Sequence, residues 1–171
     1  MSELINTALI FATEKHAGQT RKYTGQPYIF HPISVAMLVM ETAGHTPEMV
    51  AAALLHDVVE DCGVHLDEIG TRFGEPVKDM VYWLTDASTP ADGNRAHRKE
   101  LERAKWGRCD NAPAKTVKLA DLIDNSASIL ARDPKFAVVY LEEKRLMLPL
   151  LEGGDAALLQ RACAVVGINP A

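Results

Sequence analysis

Little in this chain serves export, membrane spanning or bulk nucleic-acid binding. Cysteine is scarce: Cys62, Cys109 and Cys163 are an odd number at wide spacing with no CxxC, which argues against a disulfide frame or a zinc knuckle. Reduced thiols in a cytoplasm are the expectation. No apolar run approaches the roughly 18 residues of a membrane helix, and the densest, Val50 to Leu55, is broken at once by His56 and Asp57. The opening Met1-Ser2-Glu3-Leu4 has neither a basic stretch nor an apolar one of the secretory kind, so a cytoplasmic location is expected. Positive charge is in deficit, with 18 Lys and Arg against 23 Asp and Glu for a net −5. That balance argues against broad adsorption to nucleic acid or acidic lipid, and any anionic ligand must meet a local basic patch. Period-two segments bounded by turns, internal repeats and low-complexity tracts are also missing.

What is present has helical spacing. Leu4, Ile5, Ala8, Leu9 and Ala12 mark a first helix ending near Gly18. Pro32 sits in the first turn of a second, carrying Ile33, Ala36, Met37 and Met40 and stopped by Gly44. Thr46-Pro47 opens a third, apolar nearly all round and therefore buried, which is expected to run on to Asp61. Further helices follow over Asp67 to Phe73, Glu75 to Leu84, Arg95 to Trp106, from Pro113 onward, through Val138 to Leu148, and over Asp155 to Val166, with a loop over Ser88 to Gly93. At 47% hydrophobic and 24% charged the chain is globular. The expected fold is all-α, a single helical domain over residues 1–171 with about eight or more helices.

The chemistry is expected at His56-Asp57-Val58-Val59-Glu60-Asp61. On a continuous helix of about 100° per residue, His56, Asp57, Glu60 and Asp61 share one wedge while Val58 and Val59 point elsewhere. Burying three carboxylates with an imidazole costs several kcal/mol unless a cation or strong hydrogen bonds compensate. The bland alternative is a core helix emerging into water. Asp121 interrupts the apolar series Val117, Leu119, Ala120, Leu122, Ile123, and Asn125 lies one turn later on the same face. Together His31, His56, Asp57 and Asp121 make a mixed nitrogen and oxygen set suited to Mn²⁺, Fe²⁺ or Zn²⁺. Such a set leaves positions for water and a substrate oxygen, and Glu60 and Asp61, one turn away, are placed to move protons. Lys118 either assists or lies on an outer face.

The segments Arg21-Lys22, Tyr28-Ile29-Phe30-His31-Pro32, Ala53 through Asp61, Phe73-Gly74, Leu84-Thr85-Asp86 and Val117-Lys118-Leu119-Ala120-Asp121 with Asn125 resemble, in order and spacing, the HD-superfamily hydrolase domain of RelA/SpoT proteins. Within it, the chain is similar to the stand-alone small alarmone hydrolases of the Mesh1 type. The resemblance covers about Ala12 to Leu130. It implies an HD-type helical domain and a Mn²⁺-dependent enzyme of the stringent response that removes the 3′-pyrophosphate from (p)ppGpp or (p)ppApp. By the same resemblance His31, His56, Asp57 and Asp121 are metal ligands and Glu60 with Asp61 the catalytic acidic pair. Arg21 and Lys22 would face the base and phosphates, and Asn125 the nucleoside. The chain has no room for a synthetase domain, so hydrolysis alone is expected. Two departures, the lengthened Tyr23-Thr24-Gly25-Gln26 turn and the acid at Asp124, leave guanosine and adenosine alarmones both open. A phosphatase acting on NADPH or another nucleotide, and a sensing module without turnover, are the competing readings.

Overall fold

Capping chemistry sets most of the helix boundaries in the computed structural model, which describes residues 2–168. Its backbone divides into two compact units, the first ending at Thr85 and the second beginning at Asp86. Among the described residues the secondary structure is helical, save for one isolated bridge between Thr20 and Pro27 that closes the turn after the first helix.

The first unit holds α1 (Glu3–Lys15), α2 (Phe30–Met40), α3 (Pro47–Leu55), α4 (Val58–Cys62), α5 (Leu66–Phe73) and α6 (Glu75–Leu84). Thr46 caps α3 by accepting from the Met49 amide, and Pro47 fills the first turn, where its missing N–H costs nothing. Every residue from Met49 to Leu55 is buried, and α3 packs against α1, α2 and α6 as the central rod. Ala51, Ala52 and Ala53 keep that rod thin, so its neighbours approach closely. Phe11 of α1 meets Phe73 of α5 edge-on at 5.4 Å. Gly63 ends α4 at φ +66°, a left-handed position that favours glycine.

The second unit holds α7 (Arg95–Trp106), α8 (Ala112–Arg132), α9 (Pro134–Met147) and α10 (Ala156–Val166), with a 3₁₀ turn over Leu148–Leu151. The side chains of Asn111, Asp133 and Asp155 cap α8, α9 and α10 in turn. Within this unit α8 packs against α9, α10 and the 3₁₀ turn, and Val117, Leu119, Ala120, Leu148, Leu158 and Ala162 are all buried. Tyr140 is core as well, 5% exposed with its hydroxyl 3.4 Å from Ser126 Oγ. The Ser88 to Gly93 loop contains one 3₁₀ turn, Pro90–Asp92, capped by Thr89.

One element differs from its sequence pattern. The helix expected to run from Thr46 to Asp61 is two helices, because Asp57 takes φ −99° and ψ −6°, outside the ordinary helical well. The His56 imidazole, Nδ1 2.7 Å from the Ala53 carbonyl, occupies the acceptor that the Asp57 N–H would use in a continuous helix. The Asp57 carbonyl then takes the Asp61 amide at 2.8 Å and starts α4 afresh.

Candidate metal centre

The break at Asp57 turns its side chain toward α2. Asp57 Oδ2 lies 3.0 Å from His56 Nε2 and 3.6 Å from His31 Nε2, and it accepts a hydrogen bond from the Tyr28 hydroxyl at 2.7 Å. His31 and His56 are both 2% exposed, with ring centroids 5.1 Å apart. A carbonyl oxygen only accepts, so the His56 contact with Ala53 places a proton on Nδ1, and in the neutral ring Nε2 carries the lone pair. A lone pair and a carboxylate oxygen at 3.0 Å repel unless a proton or a cation lies between them. Three donor groups of the kinds that bind borderline divalent ions thus converge at one point, with the second nitrogen of His56 anchored on backbone as metal-binding imidazoles ordinarily are.

The acidic pair follows on α4. Glu60 and Asp61 are exposed residues. Burial of its carboxyl, reinforced by the Asp57 charge, nevertheless pushes Asp61 above the usual aspartate range, with Tyr28 and His16 pulling the other way. The single wedge expected of a straight helix is replaced by a corner: His56 and Asp57 point to His31, while Glu60 and Asp61 ride on the separate turn. Arg21 is half-buried, its guanidinium 5.9 Å from the Tyr28 ring centre, whereas Lys22 is exposed and leans on Tyr23.

Asp121 is held inside the second unit, 7% exposed in the middle of α8. Lys118 Nζ donates to its Oδ2 at 3.0 Å and Asn125 Nδ2 to its Oδ1 at 2.6 Å, the spacings expected one turn either way on a helix. Lys118 is buried rather than on an outer face. It also lies 3.7 Å from Glu102 of α7, which pairs in turn with Lys99, and Lys99 lies 3.5 Å from Asp86. Burial works against the Lys118 cation, but Asp121 and Glu102 outweigh it and hold its pKa well above the usual lysine value. Burial would raise Glu102, yet Lys118 and Lys99 draw it down to about 2.

Several of these residues were not legible as site residues. Tyr28 reads only as part of a motif string, and nothing marks Glu102 among the charges of α7. His16 had a signal, since it extends the buried stripe of Ala8 and Ala12 by one turn and is itself buried. The three cysteines are free, as expected; burial raises the Cys62 and Cys163 thiols above their ordinary value. No described helix is long and apolar enough to cross a membrane.

Comparison with known proteins places this geometry in context. The family described as HD domain matches residues 8–135. A guanosine-3′,5′-bis(diphosphate) 3′-pyrophosphohydrolase MESH1 of Xenopus tropicalis is 41% identical over 124 residues, covering 71% of this chain and 67% of that protein. The Homo sapiens MESH1 is 44% identical over 117 residues, 67% of this chain and 63% of that protein. A probable 3′-pyrophosphohydrolase of Synechocystis is 37% identical over 153 residues, 86% of this chain but 20% of that protein. The chain therefore spans about two thirds of the small relatives and one fifth of the long one. Among solved structures, a metazoan ortholog of SpoT that hydrolyzes ppGpp superposes with a TM-score of 0.85 at 27% identity, over 96% of this chain and 94% of that one.

Proposed function

The chain belongs to the HD-domain family, and from that premise we propose that it is a metal-dependent 3′-pyrophosphohydrolase of purine alarmones, (p)ppGpp or (p)ppApp, serving the stringent response. The observation that carries the reading is the 3.0 Å approach of His56 Nε2 to Asp57 Oδ2, two electron-pair donors turned on one point. The family match runs across the junction of the two units, and the small relatives named for this activity are 41–44% identical to the chain over the 117–124 residues that align. Both favour a single catalytic domain over residues 1–171, in which His31, His56, Asp57 and Asp121 hold one divalent ion; the mixed nitrogen and oxygen set suits Mn²⁺, Fe²⁺ or Zn²⁺, and the family resemblance favours Mn²⁺.

A divalent ion so held would withdraw charge from phosphorus and make a nucleophile available near neutral pH. The chain's own groups do the rest. Asp61 binds its proton more tightly than an ordinary aspartate and is suited to take one up and give one back, with Glu60 beside it as the second acid. Arg21 meets the base or a phosphate with its planar guanidinium, Lys22 adds a point charge, and Asn125 contacts the nucleoside while steadying Asp121. These cations answer the net −5, which would otherwise repel a polyanionic substrate. The three thiols suit a cytoplasmic enzyme.

One panel tests the reading: Mn²⁺-loaded protein with ppGpp, ppApp and NADPH, read out as pyrophosphate against orthophosphate. Pyrophosphate from an alarmone, abolished by EDTA and restored by Mn²⁺, is the expected result. Orthophosphate from NADPH alone would make the chain a different HD phosphatase, and binding without turnover a sensor. Asp61→Asn should keep its metal and lose roughly 10²–10⁴-fold in kcat, the usual range for a general acid or base.

A further inference from the structure

The acidic turn is tied down by side chains to which no chemistry has yet been given. His16, at the C-terminal end of α1, is 3% exposed. Its Nδ1 lies 2.7 Å from Gln19 Oε1, and since an amide oxygen only accepts, Nδ1 carries the proton. The other end of Gln19 turns on α4, with Nε2 3.3 Å from the Asp61 carbonyl oxygen and 3.7 Å from Cys62 Sγ. That carbonyl belongs to the last turn of a five-residue helix and has no helical partner to accept from. The face of the His16 ring leans on Tyr28, centroids 4.7 Å apart, and Tyr28 is the donor to Asp57 Oδ2. One imidazole therefore braces both the turn that carries Asp61 and the carboxylate of Asp57.

A second observation separates this from ordinary packing. His16 Nε2 is buried without a hydrogen-bond partner among the described residues. A buried lone pair left unsatisfied is unfavourable, and a phenylalanine would fill the same space without it. What phenylalanine lacks is the Nδ1–H that orients Gln19. We propose that His16 is a positioning residue, acting through Gln19 on the backbone of Asp61 and through Tyr28 on Asp57. The proposal rests on the reading that Asp61 moves protons and that Asp57 helps hold the ion.

The test uses the full chain with His16→Phe, His16→Asn, Gln19→Ala, the double variant His16→Phe with Gln19→Ala, and Tyr28→Phe, each followed by melting, Mn²⁺ titration calorimetry and ppGpp kinetics. His16→Phe and Gln19→Ala should each lower kcat about 10-fold, the low end for groups that orient a functional residue, with KM and Mn²⁺ affinity within about twofold, because both variants keep a ring against Tyr28. The double variant should fall no further than the worse single, because both cut one chain. His16→Asn, which restores an N–H near Nδ1, should recover most of the loss. Tyr28→Phe should weaken Mn²⁺ binding about 10-fold. Lower melting temperatures with kcat and Mn²⁺ affinity at the parent level would overturn the proposal, as would losses that multiply in the double variant. A parent that turns over no alarmone would sink the assigned reaction alone, since the Mn²⁺ affinity of His16→Asn, which removes the ring packed on Tyr28, should still fall and, if it stayed at the parent level, would overturn the brace.

Discussion

Asp57 and Asp121 are the same residue type in opposite settings. Asp57 sits where a helix breaks, and its Oδ2 meets a neutral phenol and two imidazole nitrogens. Asp121 lies inside a 21-residue helix and is already paired with a buried ammonium and an amide. At Asp57 the fold gathers a phenol and two imidazoles around the carboxylate, whereas at Asp121 it supplies a lysine cation along with the carboxylate. Electron-pair donors therefore gather around Asp57 in the first unit, whereas the charge of Asp121 is answered within its own helix. A carboxylate with its own lysine is not thereby excluded from coordination, because the two oxygens of Asp121 have different partners.

The largest expected effect breaks this comparison most directly. His56→Ala removes a nitrogen donor, and a lost divalent ion forfeits several kcal/mol of transition-state stabilisation, about 10³-fold or more in kcat/KM. Asp121→Ala should do the same if both regions serve one ion. The check is Mn²⁺ titration calorimetry beside alarmone turnover. A His56→Ala protein that loses Mn²⁺ while Asp121→Ala binds it at parent affinity would confine the metal to the first unit and leave Asp121 a structural residue.

The contrast also explains what could be read in the sequence. Thr46-Pro47, Glu75 to Leu84 and Arg95 to Trp106 were legible because capping residues and apolar spacing are local, and the observed α3 start, α6 and α7 match them. The grouping of His56 with Asp57 was legible because an ionisable pair at the end of so apolar a helix is anomalous. The break between α3 and α4 was not, since it depends on a side-chain hydrogen bond from His56 to Ala53 that no periodicity records. Lys118 stayed ambiguous for a similar reason: whether a lysine beside apolar residues is buried is decided by a distant acid, here Glu102, 16 positions earlier in the chain and 3.7 Å away.

A smaller effect sharpens the second half of the comparison. Lys118→Met leaves Glu102 and Asp121 buried without their shared cation, and breaking a buried pair from one side costs about 3–5 kcal/mol. Lys99 still neutralises Glu102, so about 3 kcal/mol is expected, read as a lower urea midpoint at unchanged slope. Mn²⁺ affinity should move too, because Asp121 loses an orienting donor. A variant with parent stability would mean that Lys118 adds nothing to the fold beyond its stem.

The smallest effect is a pH window. Glu102 titrates at about 2 in the folded protein against an ordinary 4.5, since the attraction of Lys118 and Lys99 exceeds the burial that would raise it. As pH falls, the unfolded chain binds this proton first, so the contribution of Glu102 is complete above pH 4.5 and drains away as pH falls toward about 2. Glu102→Gln has no proton to bind there. Its stability, lower at neutral pH for want of the ion pairs, should lose less than the parent does between pH 4.5 and 2, so the two curves converge on the acid side. Urea melts at a series of pH values would show the convergence, and curves that stay parallel through the window would mean that Glu102 carries no depressed titration and that the lysines around it are compensated by Asp86 and Asp121 instead.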